Sequence, residues 1–147
     1  MISGLEQLHS LGIVHLDIKP GNIHLAHSDN IMIADFNCAY DITLIKLRLK
    51  QNDFSGSRCF MAPEIRNRRR ISCAADIFSK RVTMLTLLIK YTPNYEKDDH
   101  LNPAIFMWGI DFEKQLFLSM QVFLKSCLEF DPDDRLNLDE IRRLELF

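Results

Sequence analysis

The sequence is short of several features, and each absence excludes something. Its four cysteines (Cys38, Cys59, Cys73, Cys127) are far apart and form no C-x-x-C pair. That argues against zinc or a disulfide framework and for reduced thiols, hence an intracellular chain, nuclear or cytoplasmic. Charge of either sign is not in excess: 18 Lys and Arg face 20 Asp and Glu, a formal net charge of −2. There is no electrostatic case for nucleic acid or an anionic membrane as partner. The longest apolar run of note, Val82 to Ile89, is too short to span a bilayer. The N-terminus has no basic-then-apolar signal pattern. Repeats and low-complexity tracts are absent.

What remains is an ordinary globular composition, 47% hydrophobic and 26% charged. At 147 residues the prior is one domain, able to bury roughly 70% of its unfolded surface. The one local concentration of charge is Arg66-Asn67-Arg68-Arg69-Arg70. It reads first as a solvated loop, and second as a docking patch for an acidic substrate or partner.

Hydrophobic spacing predicts a mainly helical fold. Ile2, Leu5 and Leu8 share a face of a helix over 2–11 that Gly12 stops. Ile23-His24-Leu25 and Ile31-Met32-Ile33 are short strand candidates around a polar turn, Ser28-Asp29-Asn30. Ala74 to Ile89 is apolar around nearly its whole circumference, which marks the core helix. Tyr91 to Pro103 reads as a loop. Leu116 to Leu128 carries apolar residues at helical spacing, and Asp131-Pro132 ends that helix. Asn137 with Glu140 makes a capping-box start for a last helix with Leu138, Ile141 and Leu144.

The chemistry concentrates in His15-Leu16-Asp17-Ile18-Lys19-Pro20-Gly21-Asn22, a polar loop between apolar segments. A carboxylate such as Asp17 can take a proton from a hydroxyl. An ammonium such as Lys19 can neutralise a phosphate oxygen, and the amide oxygen of Asn22 can bind a hard cation. A second carboxylate, Asp35, follows the apolar run Ile31 to Ala34. Together these are the parts that hold magnesium and a nucleotide phosphate beside an acceptor hydroxyl.

The order H-x-D-x-K-P-x-N, then Asp35-Phe36-Asn37, then Ala62-Pro63-Glu64 resembles the large C-terminal lobe of a eukaryotic protein kinase. The resemblance covers essentially all of the chain but one lobe of two. It implies a partial kinase domain over 1–147: a helical bundle with a short β-hairpin beside the catalytic loop, and no N-terminal lobe. Its parts would be a catalytic loop (15–22), an activation segment (35–64) and a helical core (74–147). The activation segment is expected to be mostly irregular, with one helical turn near Leu44, Ile45 and Leu47.

By the same resemblance Asp17 is the catalytic base and Lys19 contacts the transferred phosphate of ATP. Asn22 and Asp35 are the Mg2+ ligands, and Ser57 positions substrate. Glu64 and Arg135 form a buried structural pair, Asp76 anchors the catalytic-loop backbone, and His15 supports the loop from beneath. Leu16, in the place where many kinases carry arginine, removes the cation that reads activation-segment phosphorylation. Asn37 replaces a glycine, and a positive φ there would preserve the bend. Arg81 replaces a small residue, so it must snorkel out or find a partner.

His15 to Pro20, Phe60 to Glu64 and Ala74 to Ser79 look most like the Wee/Myt group, which inhibits cyclin-dependent kinases by phosphorylating them. Two functions follow as expectations. One is phosphoryl transfer from Mg-ATP to a Ser/Thr (or Tyr) hydroxyl of a protein, a cyclin-dependent kinase being the implied substrate. The other is a pseudokinase or truncated binding module. Either way the missing lobe, or a partner in its place, is expected to complete the chain.

Overall fold

The first helix stops where its backbone must turn left. In the computed structural model, which describes residues 2–26, 30–44, 56–90 and 126–143, α1 runs over Ile2–Ser10. Gly12 follows with φ 73°, and a Cβ there would collide with the Thr43 side chain. The Gly12 N–H donates to His9 O (3.0 Å), closing the helix end. Only a residue without a side chain fits both constraints.

Two small antiparallel sheets follow. β1 (Ile13–Val14) pairs with β4 (Tyr40–Asp41), Val14 opposite Tyr40. β2 (Ile23–Leu25) pairs with β3 (Ile31–Ile33), with Ile23 opposite Ile33 and Leu25 opposite Ile31. Beyond the hairpin's base, Ala34 N–H donates to Asn22 O (2.9 Å), which ties the end of the polar loop to the start of Asp35-Phe36-Asn37. Residues 28 and 29 of the expected turn lie outside the described residues.

The short helix α2 (Pro63–Arg66) has proline in its first turn, where the missing N–H costs nothing. The long helix α3 covers Ala74–Ile89, the range expected from its apolar circumference. It serves two cores at once. Ala75, Phe78, Val82 and Leu85 join Val14, Leu16, Phe60, Met61 and Ile65. Ile77 joins Leu5, Ile18, Cys127, Leu138 and Ile141. The all-round burial stops short of the C-terminal turn, where Leu87 and Leu88 are exposed. The expected loop over 91–103 and most of the helix around Leu116 to Phe123 fall outside the described residues, as do Ile45, Leu47 and Leu144.

The last helix, α4 (Leu138–Arg143), has the expected reciprocal cap. Asn137 Oδ1 accepts from Glu140 N–H (3.0 Å), and Glu140 Oε2 accepts from Asn137 N–H (2.8 Å).

One ion pair joins the two ends of the helical region. Arg135 meets Glu64 through both guanidinium nitrogens, Nη1 to Oε1 at 2.6 Å and Nη2 to Oε2 at 2.7 Å. Its remaining donors go to the carbonyls of Ala74, Glu129 and Phe130. All five guanidinium N–H groups are thereby used, and the plane stacks over Phe78 with 5.0 Å from Cζ to the ring centre. Removing one member leaves the other charge buried and unpaired. Glu64→Ala is expected to destabilise the chain by about 3–5 kcal/mol. Urea unfolding checks this, and a loss no larger than that of an exposed pair would show the bridge to be dispensable.

Candidate active site

The polar loop is shaped by a carboxylate that lies sixty positions further along. Leu16 has φ 64°, a left-handed conformation that a leucine adopts at a cost of about 1–3 kcal/mol. Asp76, on the first turn of α3 and 0% exposed, compensates. Its Oδ2 accepts the His15 N–H (2.8 Å) and its Oδ1 accepts the Leu16 N–H (2.9 Å). On the far side of the loop, Thr83 Oγ1 donates to Ile18 O (3.2 Å). The helix thus grips the loop backbone at both ends.

Held this way, the loop directs three side chains to one point. Lys19 Nζ donates to Asp17 Oδ2 (2.7 Å) and to Ser57 Oγ (2.8 Å). Asn22 Nδ2 donates to Asp17 O (2.8 Å) and Oδ2 (3.0 Å). Ser57 N–H donates to Asp17 Oδ1 (2.7 Å). Gly56 makes that last approach possible. Its φ is 128°, and a Cβ would sit 2.6 Å from Leu16 O. Burial alone would push the Asp17 carboxyl up. The Lys19 ammonium and the Ser57 N–H and hydroxyl outweigh it and hold the group below the usual carboxylate range, so it is ionised at neutral pH. Lys19 and Asn22 thus meet Oδ2, and the Ser57 backbone meets Oδ1.

His15 is fully buried. Its Nε2 lies 3.1 Å from Ala34 O, and its ring meets Phe36 edge-on at 4.9 Å. Asp35 departs from expectation in one respect. The positive φ expected at Asn37 is found at Asp35 instead (64°), because the Asp35 carboxylate accepts the Asn37 N–H and so supports the bend from its own side. Asp35 is exposed beside the loop.

The donor set suits a hard cation. Both side-chain bonds of Asn22 use its Nδ2, which fixes the amide's orientation and leaves Oδ1 without a partner among the described residues. Asp35 adds a carboxylate with one oxygen engaged by a backbone N–H. Oxygen donors of this kind fit Mg2+ and do not fit a thiolate-seeking metal. Among the described residues no group of three His, Cys, Asp or Glu could hold a metal, and no helix is long and apolar enough to cross a membrane.

Sequence reasoning missed two partners. Arg81 takes the second of its two expected courses and finds partners: from a buried position it donates to Cys127 Sγ (3.3 Å) and to Met84 Sδ (3.9 Å). His9 Nε2 lies 2.9 Å from Asp76 Oδ2, across 67 positions of sequence. Nothing in a helical histidine at the edge of an apolar face announces such a contact.

Comparisons with known proteins bear on this constellation. The protein kinase domain family matches residues 1–147. The chain is similar to the serine/threonine-protein kinase STE20 of Saccharomyces cerevisiae, at 32% identity over 95% of this chain and 15% of that protein. It resembles the proto-oncogene serine/threonine-protein kinase mos of Sus scrofa at 31% identity, over 86% of this chain and 35% of the relative. It is also similar to ribosomal protein S6 kinase 2 alpha of Xenopus laevis at 31% identity, over 98% of this chain and 20% of the relative. The chain therefore spans between 15% and 35% of the length of these relatives.

The His9–Asp76 contact carries a pH signature. Burial of the ring works against its protonated form, but the Asp76 carboxylate and the Cys73 sulfur prevail and raise its pKa from 6.5 to about 9. A raised folded-state pKa stabilises fully below the unfolded value and is lost as pH rises through the folded one. The stability difference between wild type and His9→Gln should be largest below pH 6.5 and shrink between 6.5 and about 9. Urea midpoints across that range test it, and a constant difference would show that His9 is neutral.

Proposed function

Because this chain belongs to the protein kinase family, we propose that it provides the catalytic lobe for transfer of the γ-phosphoryl group of ATP to a protein hydroxyl. The observation that carries this reading is the convergence of Lys19, Asn22 and Ser57 on an ionised Asp17. In this reading Asp17 orients the acceptor hydroxyl through Oδ1 and takes its proton as the new oxygen–phosphorus bond forms and the bond to ADP breaks. The Lys19 ammonium neutralises charge on the transferred phosphoryl group, and its bond to Ser57 keeps the substrate-side segment in register. Asn22 Oδ1 and Asp35 would hold Mg2+, which supplies electrostatic neutralisation of the phosphates when bound. His15 and Asp76 act on the shape of the loop, and Glu64 with Arg135 acts on the segment that carries Ser57.

The lobe assignment draws support from an apolar surface beside the site. Leu25, 80% exposed, lies opposite the exposed Ile31, and Met32 and Phe36 are exposed further along the same strand and the turn after it. Apolar side chains gathered on one small hairpin and the adjoining turn mark a surface that another unit covers. In our reading that unit is a nucleotide-binding lobe, supplied by more of the polypeptide or by a partner. Lys19, two positions after Asp17, and the serine/threonine kinases among the relatives favour a Ser/Thr acceptor. The Wee/Myt likeness of His15 to Pro20 gives the narrower proposal: an intracellular kinase acting on a cyclin-dependent kinase, with tyrosine as a further acceptor. A purely non-catalytic module has no physical need for Asp17, Lys19, Asn22 and Asp35 together.

Two measurements decide. In the native polypeptide that carries this chain, Asp17→Asn should lower phosphate transfer by about 10²–10⁴-fold while leaving the thermal midpoint nearly unchanged. Transfer at the parental rate would make the base assignment wrong. In the same polypeptide, ADP should raise the thermal midpoint only when Mg2+ is present, and Asp35→Asn should remove the Mg2+ dependence. If ADP never shifts the midpoint, the binding-module reading replaces the catalytic one.

A further inference from the structure

Beside Glu64 the chain forms a recess that includes none of Asp17, Lys19, Asn22, Asp35 or Ser57 in its lining. Its volume is about 190 Å³, and its lining includes Asn67, Arg69, Arg70, Phe130 and Pro132. Pockets that enclose a small-molecule ligand usually have about 300–1,000 Å³. This one has room for a single large side chain, delivered by a segment that otherwise lies along the surface.

The walls are fixed in advance. Arg135 binds Glu64 on one side and the carbonyls of Glu129 and Phe130 on the other. Asp131 Oδ1 accepts the Asp133 N–H (3.0 Å), and Arg70 pairs with Asp133 across the rim. The loop after α2 is fixed by its backbone, with Arg68 N–H to Ile65 O (3.0 Å) and Arg69 N–H to Glu64 O (2.9 Å). A preformed recess of this kind loses little conformational entropy on binding.

Charge decides what it can take. Of the carboxylates that line the recess, Glu64 is paired with Arg135 and Asp133 with Arg70, while Asp131 keeps its charge beside a backbone N–H. Arg69 lines the recess and is exposed, and its chain neighbour Arg68 is exposed beside it. Phe130, 48% exposed, lines the same recess. Exposed guanidinium groups next to an open aromatic surface are the composition of a protein–protein contact.

We propose that the recess between α2 and the turn at 130–133 docks an acidic peptide segment of a protein partner, which seats one apolar side chain against Phe130 and pairs its carboxylates with Arg68 and Arg69. Such a contact would hold a partner independently of the phosphate-transfer site. Asp17, Lys19, Asn22 and Asp35 take no part in it.

Fluorescence anisotropy with a labelled Gly-Glu-Glu-Phe-Glu-Gly peptide tests the idea on the chain as it exists. Saturable binding is expected, absent for the peptide with lysines in place of glutamates. Arg68→Glu and Arg69→Glu should each weaken binding by about tenfold or more, and Phe130→Ala should do the same. Phe130→Ala keeps the backbone carbonyl that Arg135 uses. The ADP-induced thermal shift should be unchanged in all three, so a failure here is distinguishable from a failure of the kinase reading. Three results would each overturn the proposal. One is no saturable binding of the acidic peptide. Another is an equal loss with Arg143→Glu, the same charge change on α4. The last is equal binding of an oligonucleotide, or of the peptide with glycine for phenylalanine, which would reduce the effect to charge alone.

Discussion

Everything at the site depends on one buried carboxylate. Asp76 is wholly inaccessible, yet its two oxygens accept two consecutive backbone N–H groups and face a histidine ring. Hydrogen bonds to a charged acceptor contribute about 1.5–3 kcal/mol each, enough to offset the strain of a left-handed Leu16. Without that strain the chain would not turn between His15 and Asp17, and Asp17 would not face Ser57. Leu16 meanwhile inserts into the core formed by Val14, Phe60 and Phe78. Where a cation in that place would face the activation segment, this chain has an apolar anchor. The loop is therefore held from within the fold.

Two of the buried cations meet acceptors across the fold. Arg135 distributes five donors over one carboxylate and three carbonyls. Arg81 donates to the Cys127 sulfur. Burial works against both members of the adjacent pair on α3. It depresses the pKa of Arg81, and it lowers that of Lys80 to about 8 with help from the neighbouring guanidinium. Charge in this core is tolerated where it fixes geometry and costs stability where it does not.

The sequence disclosed the parts of this structure that are encoded locally. The extent of α3 was legible because apolar residues surround a sixteen-residue helix, and the α4 cap because Asn137 and Glu140 are three apart. The hairpin strands were legible as short apolar runs. The polar loop was legible as chemistry, since Asp17, Lys19 and Asn22 lie within six positions of one another. Contacts made across the fold were not. His9 meets Asp76, and Arg81 meets Cys127, only because α1 and the 126–128 segment lie against α3, and no periodicity reports that. The left-handed residue was expected at Asn37 from residue preference, but the side chain of Asp35 supplies its own hydrogen bond and takes that conformation instead. The recess by Arg69 was visible only as a run of basic residues.

The distances along the chain between these partners bear on how the protein comes into being. Leu16 is held by a residue 60 positions later, Glu64 by one 71 later, and Glu6 on α1 meets Arg142 across 136. Closing such long loops is entropically costly and slows folding compared with a fold of local contacts. During synthesis the Asp17 loop emerges well before α3, and α3 before Arg135. The nascent chain therefore carries its Asp17 loop on an unrestrained backbone until α3 has emerged to hold it. The geometry around Asp17 is set by residues that are made well after the loop itself.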